Sequence, residues 1–408
     1  MVLYEEGDMG STAVNAGFNR RLAGALEDMG SEGVLKALQH ILGRQAPVVD
    51  LEGYGQTVNL CSNNYLGLCD RPEVIEAVRE GATKYGAGTS SVRFICGTFD
   101  IHRTLEDRIA DFLETEAALT FTSCWNANEG LFAPLLGPED ALISDELNHA
   151  SIIDGVRLCK AERHIYRHMD TDSLEDVLKQ TAGARHRLVV TDGVFSMEGE
   201  IAPLPDIRSL CDRYDAILAV DDSHATGVLG DTGRGTPEHF GMHGEIDIIT
   251  STLGKALGGM AGGFVASSRA VIDYLTQRSR TQLFTNAIAP HSAAGALAAI
   301  DVLETHPDLV DRLRENTEYF RRELTGLGYS PIEGDTPIVP VIIGETAAAI
   351  ELSTRLLDEG VFVIGFGFPV VPKGEARIRC QISAGHDRDQ LDLALAALNK
   401  VGSSLGVI

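Results

Sequence analysis

The feature that most constrains the fold is a recurrence. Short apolar runs rich in β-branched residues return at Ala118–Thr122, Ala141–Ser144, Leu188–Thr191, Ile217–Val220 and Ile246–Thr250, much of the time near the ~30-residue length of one βαβ unit. Between them, Ser173–Gln180 and Ile207–Tyr214 carry the three-to-four spacing of amphipathic helices. Strands alternating with helices fold around a parallel sheet, so the pattern predicts an α/β chain. Polar residues gather just past the runs: Ser123 and Cys124, Asp145, Asp192, Asp221 and Asp222, then Lys255. In open α/β sheets ligands bind beyond the carboxyl ends of the strands, and the unusual chemistry of this chain is concentrated there.

After Pro290 the texture changes to long helical stretches, His291–Glu304 and Leu309–Leu327, followed by Ile338–Ile343 and a turn-rich Gly365–Gly374. The expected organisation is an N-terminal arm over residues 1–58 with helical periodicity from Phe18 to Leu42, a large domain over 59–295, and a smaller C-terminal α+β domain over 296–408. With 59 acidic against 34 basic side chains the net charge is −25, a field that opposes nucleic-acid and anionic-membrane partners. The first residues lack a basic and apolar leader pattern, and no apolar run reaches the ~18–20 residues of a membrane span. Seven scattered cysteines without a CxxC pair argue against disulfides and a zinc site, so no metal and a cytoplasmic location are expected.

The most informative string runs from Thr250 to Gly259 and carries Lys255 among hydroxyls and glycines. It lacks the G-x-x-x-x-G-K-[ST] spacing of a phosphate-cradling Walker loop. A lysine that a planar ligand can approach closely suits a Schiff-base role with pyridoxal phosphate (PLP). Upstream, Asp221 can pair with a protonated pyridine nitrogen and His224 can reach the ring's phenolic oxygen. Taken alone, an Asp and a His after an apolar run are more often a helix cap and its polar neighbour; Lys255 downstream makes the set specific.

These residues sit within longer strings: Asn63–Leu68, Ser91–Thr98, Asn148–Arg157, Thr191–Met197, Asp221–His224, Thr252–Lys255, Pro369–Gly374 and Ala376–Arg379. In that order, from about Ala25 to Ile408, the chain resembles the α-oxoamine synthase family of PLP enzymes. The resemblance implies a fold-type I PLP-dependent transferase like aspartate aminotransferase, with a mostly parallel seven-stranded sheet. It implies that Lys255 carries the cofactor and acts as base, that Asp221 holds the pyridine nitrogen, His224 the ring oxygen, and that His149 stacks on the ring. Cys124, Trp125, Ser196 and Thr252 are implied as further cofactor contacts, and Phe284 and Thr285 as the segment reaching the cofactor phosphate of a second subunit in a homodimer. Asn63 and Arg379 are implied for the amino-acid substrate; alternation places Arg377 on the same strand face, so which arginine binds stays open. Within the family the favoured reaction joins glycine to acetyl-CoA to give 2-amino-3-oxobutanoate and CoA, as in threonine breakdown. The alternatives are a different amino acid or acyl thioester, with or without loss of CO2, and a non-catalytic partner subunit, which retention of Lys255, Asp221 and His224 opposes. Trp125, Thr285, Thr89–Ser90 and Gly367–Phe368 depart from the family pattern and bear on substrate identity more than on reaction class.

Overall fold

The computed structural model describes residues 15–368 and 370–408, so Pro369 of the Pro369–Gly374 string lies outside the described residues. Its centre is a seven-stranded sheet in the order Ala117–Phe121, Gly263–Ser267, Ile248–Thr252, Ile217–Asp221, Arg187–Asp192, Ala141–Asp145, Glu162–Tyr166. Only Gly263–Ser267 runs antiparallel to its neighbours, so the sheet is mostly parallel as predicted. All five apolar runs contribute strands. Six of the seven strands are buried along nearly their whole length because helices cover both faces. One core, with Leu105, Ile109, Leu218, Val220 and Phe264, fills one side; another, with Leu131, Phe132, Leu142, Ile152 and Val265, fills the other.

The strand register lines up the polar ends. Asp192 pairs with Asp221, and Asp221 with Thr250, so three polar side chains from adjacent strands stand in one row at the carboxyl edge. Helix Cys124–Leu135 starts at the same edge, capped by Ser123, whose hydroxyl accepts from the Asn126 amide.

A second core forms where Ile338–Gly344, Ala376–Gln381 and Gly365–Phe366 make an antiparallel sheet, covered by helices Asp308–Gly326, Thr346–Asp358 and Arg388–Leu405. The long helices Pro290–Thr305 and Asp308–Gly326 match the periodicity read from sequence. Val48–Leu51 and Gly55–Asn59 pair with each other, and the latter adds Val361–Phe362 as a parallel neighbour. The N-terminal helix is shorter than its periodicity predicts: it spans Ala16–Ser31, not Phe18–Leu42. Gly33 takes φ +69°, where a side chain is strained, and the Val34 amide bonds back to Met29 O at 3.0 Å, a left-handed helix stop that ends the element before Leu35. Among the described residues no helix is long and apolar enough to cross a membrane.

Candidate active site

Beyond the carboxyl edge of the central sheet lies a cavity of about 210 Å3 lined by Cys124, Trp125, His149, Ser196, Asp221, His224, Thr252 and Lys255. Eight of the residues expected at the site thus converge there. Ser123, Ser151, Asp192, Val194 and Ser223 complete the wall. A larger cavity of about 540 Å3, near Leu188 and Ile217, opens at the other end of the strands and holds none of these groups.

Asp221 is buried and held from two sides: Asn128 Nδ2 donates to Oδ2 at 2.6 Å and the Ser223 amide to Oδ1 at 3.0 Å. Asn128 is fixed in turn by Thr250 Oγ1, which donates to its Oδ1 at 2.9 Å. Sequence reading missed Asn128, although its place one helical turn after Cys124 puts both on one face and offered a signal. His149 caps helix Ala150–Leu158: its Nδ1 accepts from the Ser151 amide at 3.2 Å, while its own amide donates to Asp192 Oδ2 at 2.9 Å. Its ring meets Trp125 edge to face, with centroids 6.0 Å apart.

The electrostatics follow from burial. Desolvation lowers the Lys255 ammonium to about 8, against the pull of Asp221, Cys124 and Asp192. Burial, then Lys255 and Arg379, pushes His224 well below the usual imidazole range and keeps it neutral. Burial and the neighbouring Asp221 push Asp192 well above the carboxylate range. Burial likewise raises the Cys124 thiol well up, so it is a poor nucleophile.

The arginines separate. Arg377 is almost wholly buried and spent: it donates to Met197 O, Glu198 Oε1 and Glu375 Oε2, each at 3.1 Å. Arg379 donates through Nη1 to Ser196 O at 2.7 Å and through Nη2 and Nε to the Gln381 side-chain oxygen at 2.8 and 3.1 Å. Three of its five N–H groups are then engaged by oxygen, and two, with Met197 Sδ 4.0 Å from Nη1 as their one weak acceptor, are left, the number a bidentate carboxylate takes. Asn63 stands beside it, its Oδ1 2.8 Å from the Gln381 amide nitrogen. Neither Asn63 nor Arg379 lines the small cavity; Arg379 reaches its wall through Ser196. Phe284 and Thr285 lie outside the cavity, and Phe284 is exposed with Arg280 against its ring, 5.3 Å from the centroid.

A planar, phosphorylated pyridine fits this cradle. The Asp221 side chain forms no ion pair among the described residues, so a buried carboxylate faces the cavity in want of a cation, and the Lys255 side chain likewise makes no hydrogen bond or ion pair there. The Cys124 and Trp125 amides in the first turn of helix Cys124–Leu135 have no intrahelical acceptor, an anion site next to the Thr252 hydroxyl. Gly263 lets this turn approach the sheet: a Cβ there would lie 2.3 Å from the Cys124 nitrogen. The volume, below the ~300–1,000 Å3 of drug-sized pockets, suits one small cofactor.

Fold and site together define a PLP-dependent enzyme, and the chain belongs to the class I and II aminotransferase family, whose profile matches residues 56–398. Its relatives place it among the α-oxoamine synthases. It is 47% identical over 393 residues to the 2-amino-3-ketobutyrate coenzyme A ligase of Salmonella typhimurium, covering 96% of this chain and 99% of that one. It is 46% identical to the mitochondrial ligase of Homo sapiens, covering 95% and 93%. It is 48% identical over 384 residues to the 8-amino-7-oxononanoate synthase of Symbiobacterium thermophilum, covering 94% and 97%. Among solved structures, a high-resolution structure of SPT with PLP superposes with a TM-score of 0.92 at 30% identity, covering 97% of this chain and all of that one.

Proposed function

We propose that this chain joins glycine to acetyl-CoA, giving 2-amino-3-oxobutanoate and CoA, and runs the reverse cleavage in threonine breakdown. The observation that carries this reading is the 46–47% identity, over nearly the whole chain, to 2-amino-3-ketobutyrate coenzyme A ligases. PLP, when bound, supplies an aldehyde carbon and a conjugated cationic ring that takes up the electron pair left on the amino acid's α-carbon.

The chain's residues do the rest. Arg379 offers its two open N–H groups to the glycine carboxylate, with Asn63 alongside, fixing which face of the α-carbon is presented. Lys255 Nζ, with its affinity for protons lowered to about 8, takes the α-proton near neutral pH and returns it. Asp221, braced by Asn128 and Ser223, would hold a protonated pyridine nitrogen, and His149 on the same cavity wall would stack on the ring. The new bond joins the glycine α-carbon to the acetyl carbonyl carbon, the carbon–sulfur bond breaks, and CoA leaves as its thiol.

The reading takes residues 1–58 as an arm, 59–295 as the cofactor-binding domain and 296–408 as the smaller domain of a cytoplasmic homodimer. Exposed Phe94, Ile95 and Phe284 support a partner-covered face, with Phe284 and Thr285 reaching the second subunit's cofactor phosphate. A second reading, condensation of another amino acid or a longer acyl thioester, draws on the 48% identity to an 8-amino-7-oxononanoate synthase. Thiol release on mixing purified PLP-loaded protein with glycine and acetyl-CoA decides. No thiol there, with thiol from a longer acyl-CoA or from alanine or serine, overturns the first reading in favour of the second.

A further inference from the structure

From the second sheet to the cavity wall, polar groups form a continuous chain: half-buried Arg379, then buried Gln381, Tyr65 and His224. Gln381 ends the strand Ala376–Gln381, two residues beyond Arg379 and therefore on the same face. Tyr65 follows the strand Gly55–Asn59, and His224 follows Ile217–Asp221 of the central sheet. Gln381 and Tyr65 are each about 1% exposed or less, so water cannot reorganise their hydrogen bonds.

Donor and acceptor accounting fixes the direction of the first two bonds, and distance selects the third. A guanidinium only donates, so Gln381 must turn its oxygen to Arg379, 2.8 Å from Nη2. Its nitrogen then faces Tyr65 and donates to the phenolic oxygen at 2.8 Å. Tyr65 keeps one proton to give. Its contact with His224 Nδ1 is 2.8 Å and that with Asn63 Oδ1 is 3.5 Å, so the proton goes to the imidazole. Nδ1 is therefore an acceptor, and the ring's single N–H lies on Nε2. We infer that Gln381 and Tyr65 are positioning residues that transmit the orientation of the carboxylate-binding arginine to His224 and lock it in the Nε2–H tautomer, a fixed donor towards the cofactor's ring oxygen. Burial supports the assignment from both ends, since it raises the Tyr65 phenol and lowers the His224 imidazolium, leaving both groups neutral. The inference rests on the proposed function only in that Arg379 takes the substrate carboxylate and His224 faces the cofactor.

The test is nitrogen NMR on PLP-loaded protein labelled with 15N-histidine, with the His224 signals assigned by their loss in His224→Gln. Wild type should show Nδ1 as an unprotonated, hydrogen-bonded nitrogen and Nε2 as protonated. Tyr65→Phe removes the donor, and Gln381→Glu keeps an acceptor for Arg379 but draws the Tyr65 proton away from His224. Both should move the Nδ1 resonance and shift the visible absorption of the bound cofactor. Tyr65→Phe should lower kcat about 10- to 100-fold, the scale seen when a partner orienting an imidazole is lost, with a smaller change in the KM for the amino acid. Cofactor stoichiometry and melting temperature report whether each variant is folded, and the wild-type tautomer is read without any variant. An Nδ1–H tautomer in wild type, or an unmoved Nδ1 resonance in a folded Tyr65→Phe, overturns the inference. If the Nδ1 resonance moves as expected while glycine and acetyl-CoA release no thiol, the relay stands and only the substrate reading falls.

Discussion

Arg377 and Arg379 lie two residues apart on one strand, and their environments predict opposite phenotypes. On the proposed function, Arg379 meets the amino-acid carboxylate with its two open N–H groups, a charge-assisted contact of about 1.5–3 kcal/mol. Its loss in Arg379→Ala should raise the KM for the amino acid roughly 10- to 150-fold. Arg379→Lys keeps the charge but not the fork, so it should recover only part of that loss. The fold should tolerate either change, because the partners the guanidinium leaves behind, Ser196 O and the Gln381 amide, are neutral and no buried charge loses its counter-ion. Arg377 instead neutralises Glu198 from a position about 2% exposed and ties the Met197–Glu198 turn to the second sheet. Arg377→Ala leaves the half-buried Glu198 carboxylate and Met197 O without their partner, a loss of about 1–3 kcal/mol that should appear as a fall in Tm. Steady-state kinetics with varied amino acid, run beside thermal melts of the PLP-loaded proteins, separate the two. An unchanged KM in Arg379→Ala, with a raised KM in a well-folded Arg377→Ala, would refute the assignment.

Three further outcomes are expected. Because the Lys255 amine must be neutral to attack an aldehyde, the rate at which PLP restores the visible band to cofactor-stripped protein should climb about tenfold per unit below pH 7, bend near 8 and level above 9; a flat profile from 7 to 9 contradicts the lowered amine. Gly263→Ala drives a Cβ into the Ser123–Cys124 backbone, so stability should drop by about 1–3 kcal/mol and PLP should dissociate more readily in equilibrium dialysis; an unaltered affinity removes the close approach from the phosphate site. Burial disfavours the His168 imidazolium, yet Asp145 at 3.0 Å and Glu200 at 3.2 Å outweigh it and raise the group above its usual value. Its stabilisation is complete below about pH 6.5 and is lost as pH rises through the raised folded value, so the Tm difference between wild type and His168→Gln should shrink from pH 6 to 9; a difference that grows reverses the sign.

Much of this was legible in the sequence, for identifiable reasons. The buried strands announce themselves because both faces are covered and their residues are apolar throughout. The strand Glu162–Tyr166 escaped notice because it lies at an edge, with four of its five positions at least partly open to solvent, so its side chains carry no apolar run. Gly263–Ser267 was hidden because it begins within the glycine-rich stretch after Lys255 and turns the chain antiparallel. Lys255, Asp221 and His224 stood out because their chemistry is local to strand ends. Tyr65, Asn128 and Gln381 act through partners dozens to hundreds of residues away, and only the fold brings those partners within hydrogen-bond reach. The sequence named Arg379 but could not dismiss Arg377 for the same reason: alternation assigns a face, while Glu198 and Glu375 decide which guanidinium is left open.

The antiparallel strand beside the lysine has a mechanical consequence. Thr252 and Gly263 are paired in the sheet and the Leu253 amide bonds Gly262 O at 3.0 Å, so the segment bearing Lys255 is pinned at both ends to one rigid body. Asp221 belongs to the same body, whereas Arg379 rides on the other sheet. The distance between Lys255 and Asp221 is therefore insensitive to any rocking of the two sheets. The separation of Arg379 from Lys255 is not: on the proposed function, such a motion would stretch or compress the approach of substrate to base.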